Sequence, residues 1–508
     1  MKLNRQPLIL ALISATLTCS IALAQTAAPT QPAPSPTAFS IQVPAESTQQ
    51  SGIFAAKMPP STDSNMQDVD RECSKDTGYR GIWYPNQPTN DQYHFKYSGG
   101  LATYPQQQEP IAIYAPKVNK TFFVYGGTTP DSPTHLLEMV SYYDHTTGMV
   151  PRPTILMGKG TDDAHDNSAM TIDDDGYIWI FSSAHGTVRP SYIHRSTKPY
   201  SIDAFTQVLK TNFSYSEPWY ISGQGFLFLH TRYENNGRSL YWMTSKDGYT
   251  WSDPHQLARI DMGHYQISLH QGNRVATFFN YHPSPLGLNA RTNLYYLETT
   301  DFGVTWRNIH GQPVSTPITT VQNPALIHDY QAEHLLVFLK DLQFDVAGHP
   351  VILYLTTRGW QPGPANGPRT FRTARWTGTD WQILPLTTTD HNYDYGDFFI
   401  EPDGTWRVFA TSDPGPFPWG TGGEIVMFTS RDQGHTWASH PVTSASKLNQ
   451  SYPRRPVDAN PAFYSLWADG NPLEPSPSSL YFTNKNGSHV WRLPTLMTHD
   501  FQPPDRIR

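Results

Sequence analysis

Two histidines, His165 and His185, bracket the stretch "DDAHDNSAMTIDDDGYIWIFSSAHG" at 162–186. The spacing is that of one β-hairpin with a histidine at each open end. "SAMTI" and "YIWIFSS" have strand length and strand composition, and the Asp-Gly between them is a strong turn signal. Antiparallel pairing returns the chain to the rim it left, so both imidazoles arrive at one edge of a sheet. Their chemistry there is proton transfer, because histidine titrates near neutrality and serves as base or acid. The plainer reading is a pair of hydrogen-bonded structural histidines among the 20 in the chain.

Other polar sites carry similar alternatives. His391 in "DHNYDYGDF" stands beside Asp390 and Asp394, and an Asx-rich turn explains the group without a metal. Arg454 and Arg455 in "YPRRPVDANP" either extend a subsite for an acidic sugar or brace the last part of the fold. Trp360 and Trp419 lie in Pro-Gly loops, where an indole stacks on a sugar ring or simply packs.

The elements that must position these groups are short strands. Aromatics make up 13% of the 508 residues, with 35 Gly and 45 Pro, a balance that favours strands and turns over long helices. "TSRDQGHTW" (429–437) has the pattern of an Asp-box turn, and "TTDFGVTW" (299–306) and "TSKDGYTW" (244–251) are degenerate copies. In such a turn the Asp accepts backbone N–H groups, the Gly takes a positive φ and the Trp packs between sheets. Trp251 and Trp306 are about 55 residues apart and Trp437 falls about two further periods on, the length of a four-stranded propeller blade. Seven strand-like runs fit that ruler: "KTFFVYGG", "GYIWIFSS", "GFLFLHTRY", "RVATFFNYH", "HLLVFLKD", "TWRVFATS" and "SLYFTN". The expected fold is all-β, a seven-bladed β-propeller with Asp-box turns; an array of β-sandwiches is the competing arrangement.

The chain ends and the charge bound the rest. Residues 1–24 have Lys2 and Arg5, an apolar run and Ala22-Leu23-Ala24, the form of a bacterial-type signal peptide that directs a protein to the periplasm or medium. Residues 25–72 are rich in Pro, Ala, Ser and Thr and are expected to be a disordered tether. Residues 73–508 are expected to form one propeller domain. Beyond the signal only Cys73 remains, which excludes an internal disulfide and a cysteine metal site. A net charge of −7 with 16% charged residues offers no basic stripe for nucleic acid. No apolar run past the signal is long enough to span a membrane. The expected partner is an acidic polysaccharide or oligosaccharide met by a monomer.

Longer motifs then point to a family. "GYRGIWYPNQPTNDQYHFKYSGGL", "MVSYYDHTTGMVPRP", "DAHDNSAM", "SSAHGTVRPSYIHRS", "GHYQIS", "FNYHP", "DHNYDYGDF" and "PRRPVDANPAFYSLWADG" together resemble the bacterial propeller proteins with BNR-type repeats. That group is related to the seven-bladed ulvan lyases and L-rhamnose-α-1,4-D-glucuronate lyases. The resemblance covers about residues 78–495. It implies two histidines about twenty residues apart, met by His165 and His185; a Tyr and, some seventeen residues later, an Arg, met by Tyr215 and Arg232; and a further Tyr and His, met by Tyr265 and His282. His264, Arg189 and Arg454 lie in the same motifs and are expected to contact substrate. Some relatives described as rhamnosidases carry a histidine soon after "YSGGL"; this chain has Gln106, Gln107 and Gln108 there, with His94 the nearest alternative.

What the resemblance implies is β-elimination at a 4-linked uronic acid. Removing the C5 proton requires the adjacent carboxylate to be neutralised first, and Arg232 suits that clamp. A base takes the proton and an acid returns one to the departing oxygen; Tyr215 is expected to serve in both ways, with the two histidines completing the clamp or alternating as base. No cofactor is required, and a structural calcium or zinc ion is left open. A propeller glycoside hydrolase, rhamnosidase-like or sialidase-like, and a glycan-binding propeller without activity are the alternatives.

Overall fold

The computed structural model describes residues 73–101, 107–234 and 237–508. The signal segment, the tether and Gln106 lie outside the described residues. Those described form an all-β propeller whose helical content is three single-turn 3-10 segments. Five four-stranded antiparallel sheets follow one another along the chain, at 168–211, 214–258, 266–328, 336–389 and 396–441, each with its strands in sequence order. Such meanders form because each apolar run is followed by a turn and an equally apolar return strand, so adjacent pairing needs only short connections.

The expected count of seven blades is not borne out: beyond these five sheets, the two ends of the described chain build irregular ones. The sheet at 112–158 grows to seven strands by recruiting Ser74–Lys75, Gly81–Ile82 and Pro477–Ser478, and the last sheet has five. The physical reason is closure. A ring of separate sheets must join its two ends, and here Gly81–Ile82 pairs with Pro477–Ser478 from the far end of the chain.

Three turns clamp neighbouring sheets. Asp247 Oδ1 accepts Tyr249 and Thr250 N–H at 2.8 and 2.7 Å, Asp301 Oδ1 accepts Thr305 N–H at 2.8 Å, and Asp432 Oδ1 accepts Thr436 N–H at 2.9 Å. The following glycines have φ of 77°, 84° and 88° at Gly248, Gly303 and Gly434. A side chain on Gly248 would meet the Trp179 ring of the preceding sheet at 2.2 Å, so that position needs both the freedom and the smallness of glycine.

Buried acids bond each sheet to the next. Glu138 accepts Ser168 Oγ–H at 2.6 Å, Glu217 accepts Ser268, and Asp397 accepts Ser465 Oγ–H at 2.6 Å. Arg455 reaches Asp341 at 3.3 Å and Arg454 donates to the Gln108 carbonyl at 2.7 Å. Burial pushes the Glu138 carboxyl up to about 7 and those of Glu109 and Asp397 to about 8. Burial thus holds these three carboxyls protonated further toward neutrality than an exposed acid.

Candidate active site

The hairpin of Ser168–Ile172 and Ile178–Ser182 pairs Ser168 with Ser182, which brings its two flanking histidines together as the spacing implied. His165 lies in the 3-10 turn Ala164–Asp166, capped by Asp163. The imidazoles of His165 and His185 stack with centroids 3.9 Å apart and planes 13° apart. One carboxylate serves both: Asp163 Oδ1 lies 2.5 Å from His165 Nδ1, and Oδ2 lies 2.8 Å from His185 Nδ1. A carboxylate only accepts, so each Nδ1 donates and each neutral ring keeps its lone pair on Nε2.

Burial differs across the pair. His165 is 3% exposed, whereas the His185 side chain is 32% exposed. Burial, with the neighbouring His185, outweighs the pull of Asp163 and lowers the His165 pKa to about 4. Asp163 itself is held well below the usual carboxylate value; burial opposes this, and the two hydrogen-bonded imidazoles overcome it. Asp163, His165 and His185 also form a donor set within 4.8 Å of the kind that takes a transition-metal ion, with both Nδ1 atoms already bonded to the carboxylate.

Three tyrosines and an arginine complete the group. Tyr215 has φ of 51°, in the left-handed region, at a bulge where pairing shifts between Ser214 and Glu217. That strained backbone turns the ring toward the histidines. Its centroid is 6.3 Å from that of His165, and its hydroxyl is 2.8 Å from that of Tyr233. Burial, then Tyr233 and Tyr265, hold the Tyr215 pKa well above the usual phenol value, so it keeps its proton. Arg238 is buried, donates to the Tyr265 hydroxyl, and lies 4.8 Å from the Tyr265 ring and 5.1 Å from that of Tyr233. Burial alone would raise the Tyr265 pKa; Arg238 and Arg291 reverse it and hold it below the usual phenol value. His282 is buried with its ring 5.0 Å from Tyr265, and burial followed by the charges of Arg238 and Arg291 keeps it neutral.

Not every expected residue joins this group. Arg232 sits on Gly225–Glu234 beside Tyr233, and successive strand residues point to opposite faces. Tyr233 therefore faces the histidines while the Arg232 guanidinium lies 5.8 Å from the Tyr241 ring on the sheet's flank. The guanidinium among the tyrosines belongs to Arg238, the cross-strand partner of Tyr233. His264 is buried, with Nε2 accepting Ile260 N–H and Nδ1 bonded to the Asn280 carbonyl, both at 2.7 Å, a structural arrangement. Arg189 is engaged by Asp166 at 2.6 Å and by Asp163 at 3.5 Å. Arg454 is buried beside Glu109 at 3.6 Å, away from the histidines. Around His391, Asp394 accepts His391 N–H at 3.1 Å and Gly422 N–H at 2.7 Å.

Asp163, Tyr233, Arg238, Tyr84 and Tyr97 also belong to this group, and the motif spacing does not mark them. Tyr84 and Tyr97 have ring centroids 6.0 and 6.4 Å from that of His165. Asp163 was legible in "DDAHD", two residues before His165. Arg238 was legible as the residue opposite Tyr233 once the strand after the turn is put in register.

Comparison with known proteins adds the following. Residues 139–389 match the model of the BNR repeat-containing family. An ulvan lyase (PL25) of Pseudoalteromonas sp. (strain PLSV) is 23% identical over 350 residues, which is 60% of this chain and 69% of that protein. An ulvan lyase of Alteromonas sp. (strain LOR) is 24% identical over 317 residues, 54% of this chain and 63% of that protein. The chain thus spans about two thirds of the length of these relatives. Among solved structures, a PL25 ulvan lyase superposes with a TM-score of 0.64 at 17% identity, covering 82% of this chain and 96% of that one. The polysaccharide lyase Uly1 superposes with a TM-score of 0.56 at 9% identity, covering 81% and 99%. At these identities the structures speak to the fold.

Proposed function

We propose that this chain, which groups with the BNR-repeat β-propeller polysaccharide lyases, cleaves an acidic polysaccharide by β-elimination at a 4-linked uronic acid, in linkages of the rhamnose-glucuronate type. The observation that carries the reading is the pair of stacked imidazoles sharing Asp163 beside a buried guanidinium and a proton-holding tyrosine. Elimination needs those three things together: a neutraliser for the carboxylate, a base for C5–H and an acid for the leaving oxygen.

In this reading Arg238 pairs with the uronate carboxylate and lowers the cost of charge developing at C5. His185, the more exposed imidazole, takes the C5 proton on Nε2, with His165 stacked behind it and Asp163 stabilising the imidazolium that forms. The C5–H electron pair becomes the C4–C5 double bond, the bond from C4 to the glycosidic oxygen breaks, and Tyr215 gives its proton to that oxygen. Each proton transfer contributes on the order of 10²- to 10⁴-fold. The signal-like segment at 1–24 fits a reaction outside the cytoplasm, where such polymers are met.

The test is incubation of the full chain with ulvan and, separately, with gum arabic, following the ultraviolet absorbance of an unsaturated uronate and the release of reducing ends. Both together support the lyase. Reducing ends without the absorbance indicate a hydrolase, and binding with neither indicates a glycan-binding propeller.

A further inference from the structure

Two separate pieces of chain carry the stacked imidazoles, so something must hold one piece to the other. His165 lies in the 3-10 turn Ala164–Asp166. His185 opens the segment 185–189 that follows the strand Ile178–Ser182, and within it Thr187 and Val188 are exposed. A segment so exposed moves unless its backbone is tied down. Asp163 grips the His185 ring through Nδ1 at 2.8 Å, which fixes the ring but not the backbone beneath it.

The backbone tie comes from Asp166. Its side chain is fully buried, and Oδ1 accepts the His185 backbone N–H at 2.7 Å. Arg189 donates to the same carboxylate through Nε at 2.6 Å and Nη2 at 3.2 Å, and the Lys159 ammonium, on a side chain 2% exposed, lies 3.3 Å from Oδ2. Each oxygen is thus met twice, which uses the roughly four acceptor sites of a carboxylate. Lys159 follows the strand Thr154–Gly158 of the preceding sheet and also donates to the Ser183 carbonyl. One carboxylate therefore gathers the preceding sheet, the turn that carries His165 and the segment that carries His185. A buried ion cluster adds little net stability, because desolvation of the charges offsets their attraction. What this one supplies is a fixed arrangement.

We infer that Asp166 is a positioning residue for the reaction: its bond to the His185 N–H holds the His185 backbone on the His165 turn, so that the rings stack, both Nδ1 atoms reach Asp163 and the His185 Nε2 keeps its lone pair for substrate. The inference rests on the lyase reading for His185 as base and on the bonds of Asp166 for the positioning.

The test removes the acceptor without stranding a charge. Lys159→Met/Asp166→Asn/Arg189→Met keeps a side-chain oxygen for the His185 N–H, Lys159→Met/Asp166→Ala/Arg189→Met does not, and the two variants carry the same charge. Nitrogen NMR of isotope-labelled histidine, with His185 assigned from His185→Ala, should show the wild-type Nδ1–H tautomer of His185 in the Asn variant and its loss in the Ala variant. With ulvan as substrate kcat should differ between them by about 10²-fold, the cost of a displaced catalytic group, with KM nearly equal. Two folded variants with the same tautomer, or with the same kcat where the wild type cleaves, overturn the inference, because a carboxylate that only stabilises the fold would leave both readouts alike. Should the wild type cleave no polymer, the lyase reading fails and the tautomers still decide the positioning. Should the Ala variant not fold, amide exchange on the wild-type protein decides: the His185 N–H should exchange at least about tenfold more slowly than those of Thr187 and Val188, and equal rates overturn the inference.

Discussion

Replacing Asp163 by Asn tests the shared carboxylate directly. Both oxygens of Asp163 accept from an imidazole Nδ1, at 2.5 and 2.8 Å. An amide of the same shape has one accepting oxygen and one donating nitrogen. One of the two rings must then turn its tautomer over, accept on Nδ1 and carry its proton on Nε2, where the proposed proton transfer requires a lone pair. The variant also removes the negative charge that stabilises an imidazolium. The expected loss is therefore the base contribution to the rate, about 10²- to 10⁴-fold in kcat, or about 3–5 kcal/mol of barrier. KM should stay within about threefold of wild type, because the carboxylate clamp is assigned to Arg238. The fold should survive, since Asp163 also caps the turn Ala164–Asp166 through His165 N–H at 3.0 Å and Asn caps about as well as Asp. The assay is initial-rate absorbance on a cleaved polymer, with a melting curve as control. A folded Asp163→Asn protein within tenfold of wild-type kcat would refute the reasoning.

Arg238→Ala should lower kcat/KM by about 10²- to 10³-fold, as for other lost charge-stabilising donors, with KM rising; Arg232→Ala, whose guanidinium lies by Tyr241, should change it less than threefold, and the reverse order would restore Arg232 as the clamp. Tyr215→Phe should bind substrate normally and lose about 10²-fold or more in kcat, and combining it with Asp163→Asn should cost less than the sum of the two, as for residues acting as one unit. Stability should depend on pH through the buried acids. Glu138, Glu109 and Asp397 have folded values of about 7, 8 and 8, above their unfolded values, so between about pH 4 and pH 8 the folded state binds more protons than the unfolded state. Urea midpoints should therefore fall as pH rises through that window and level off above it. Glu138→Gln should flatten its lower part, and midpoints that rise across the window would contradict the assignment.

What the sequence determined by itself is what depends on local spacing. Strand runs such as "GYIWIFSS" read correctly because alternation and turn signals act over a few residues, and the same locality brought His165 and His185 to one rim, since a tight hairpin leaves no other place for its ends. The long motifs also pointed to the proteins that this chain is found to be similar to. The tertiary structure alone decided the rest. Which face of a strand looks into the site depends on register and bulges, and a shift of one residue exchanges the faces: Tyr233 turns in and Arg232 turns out, so the guanidinium comes from Arg238 on the neighbouring strand. The same holds for His264, whose bonds to Ile260 and Asn280 spend both its nitrogens on backbone. Closure was equally non-local. Nothing near Gly81 or Pro477 announces that they pair, because the energy of that contact comes from joining the two ends of a ring. The hairpin of Asn86–Pro88 and Phe95–Tyr97 is the furthest from local rules: Lys96 and Tyr97 meet Asn289, Trp360 and Tyr393 only after the intervening sheets have folded.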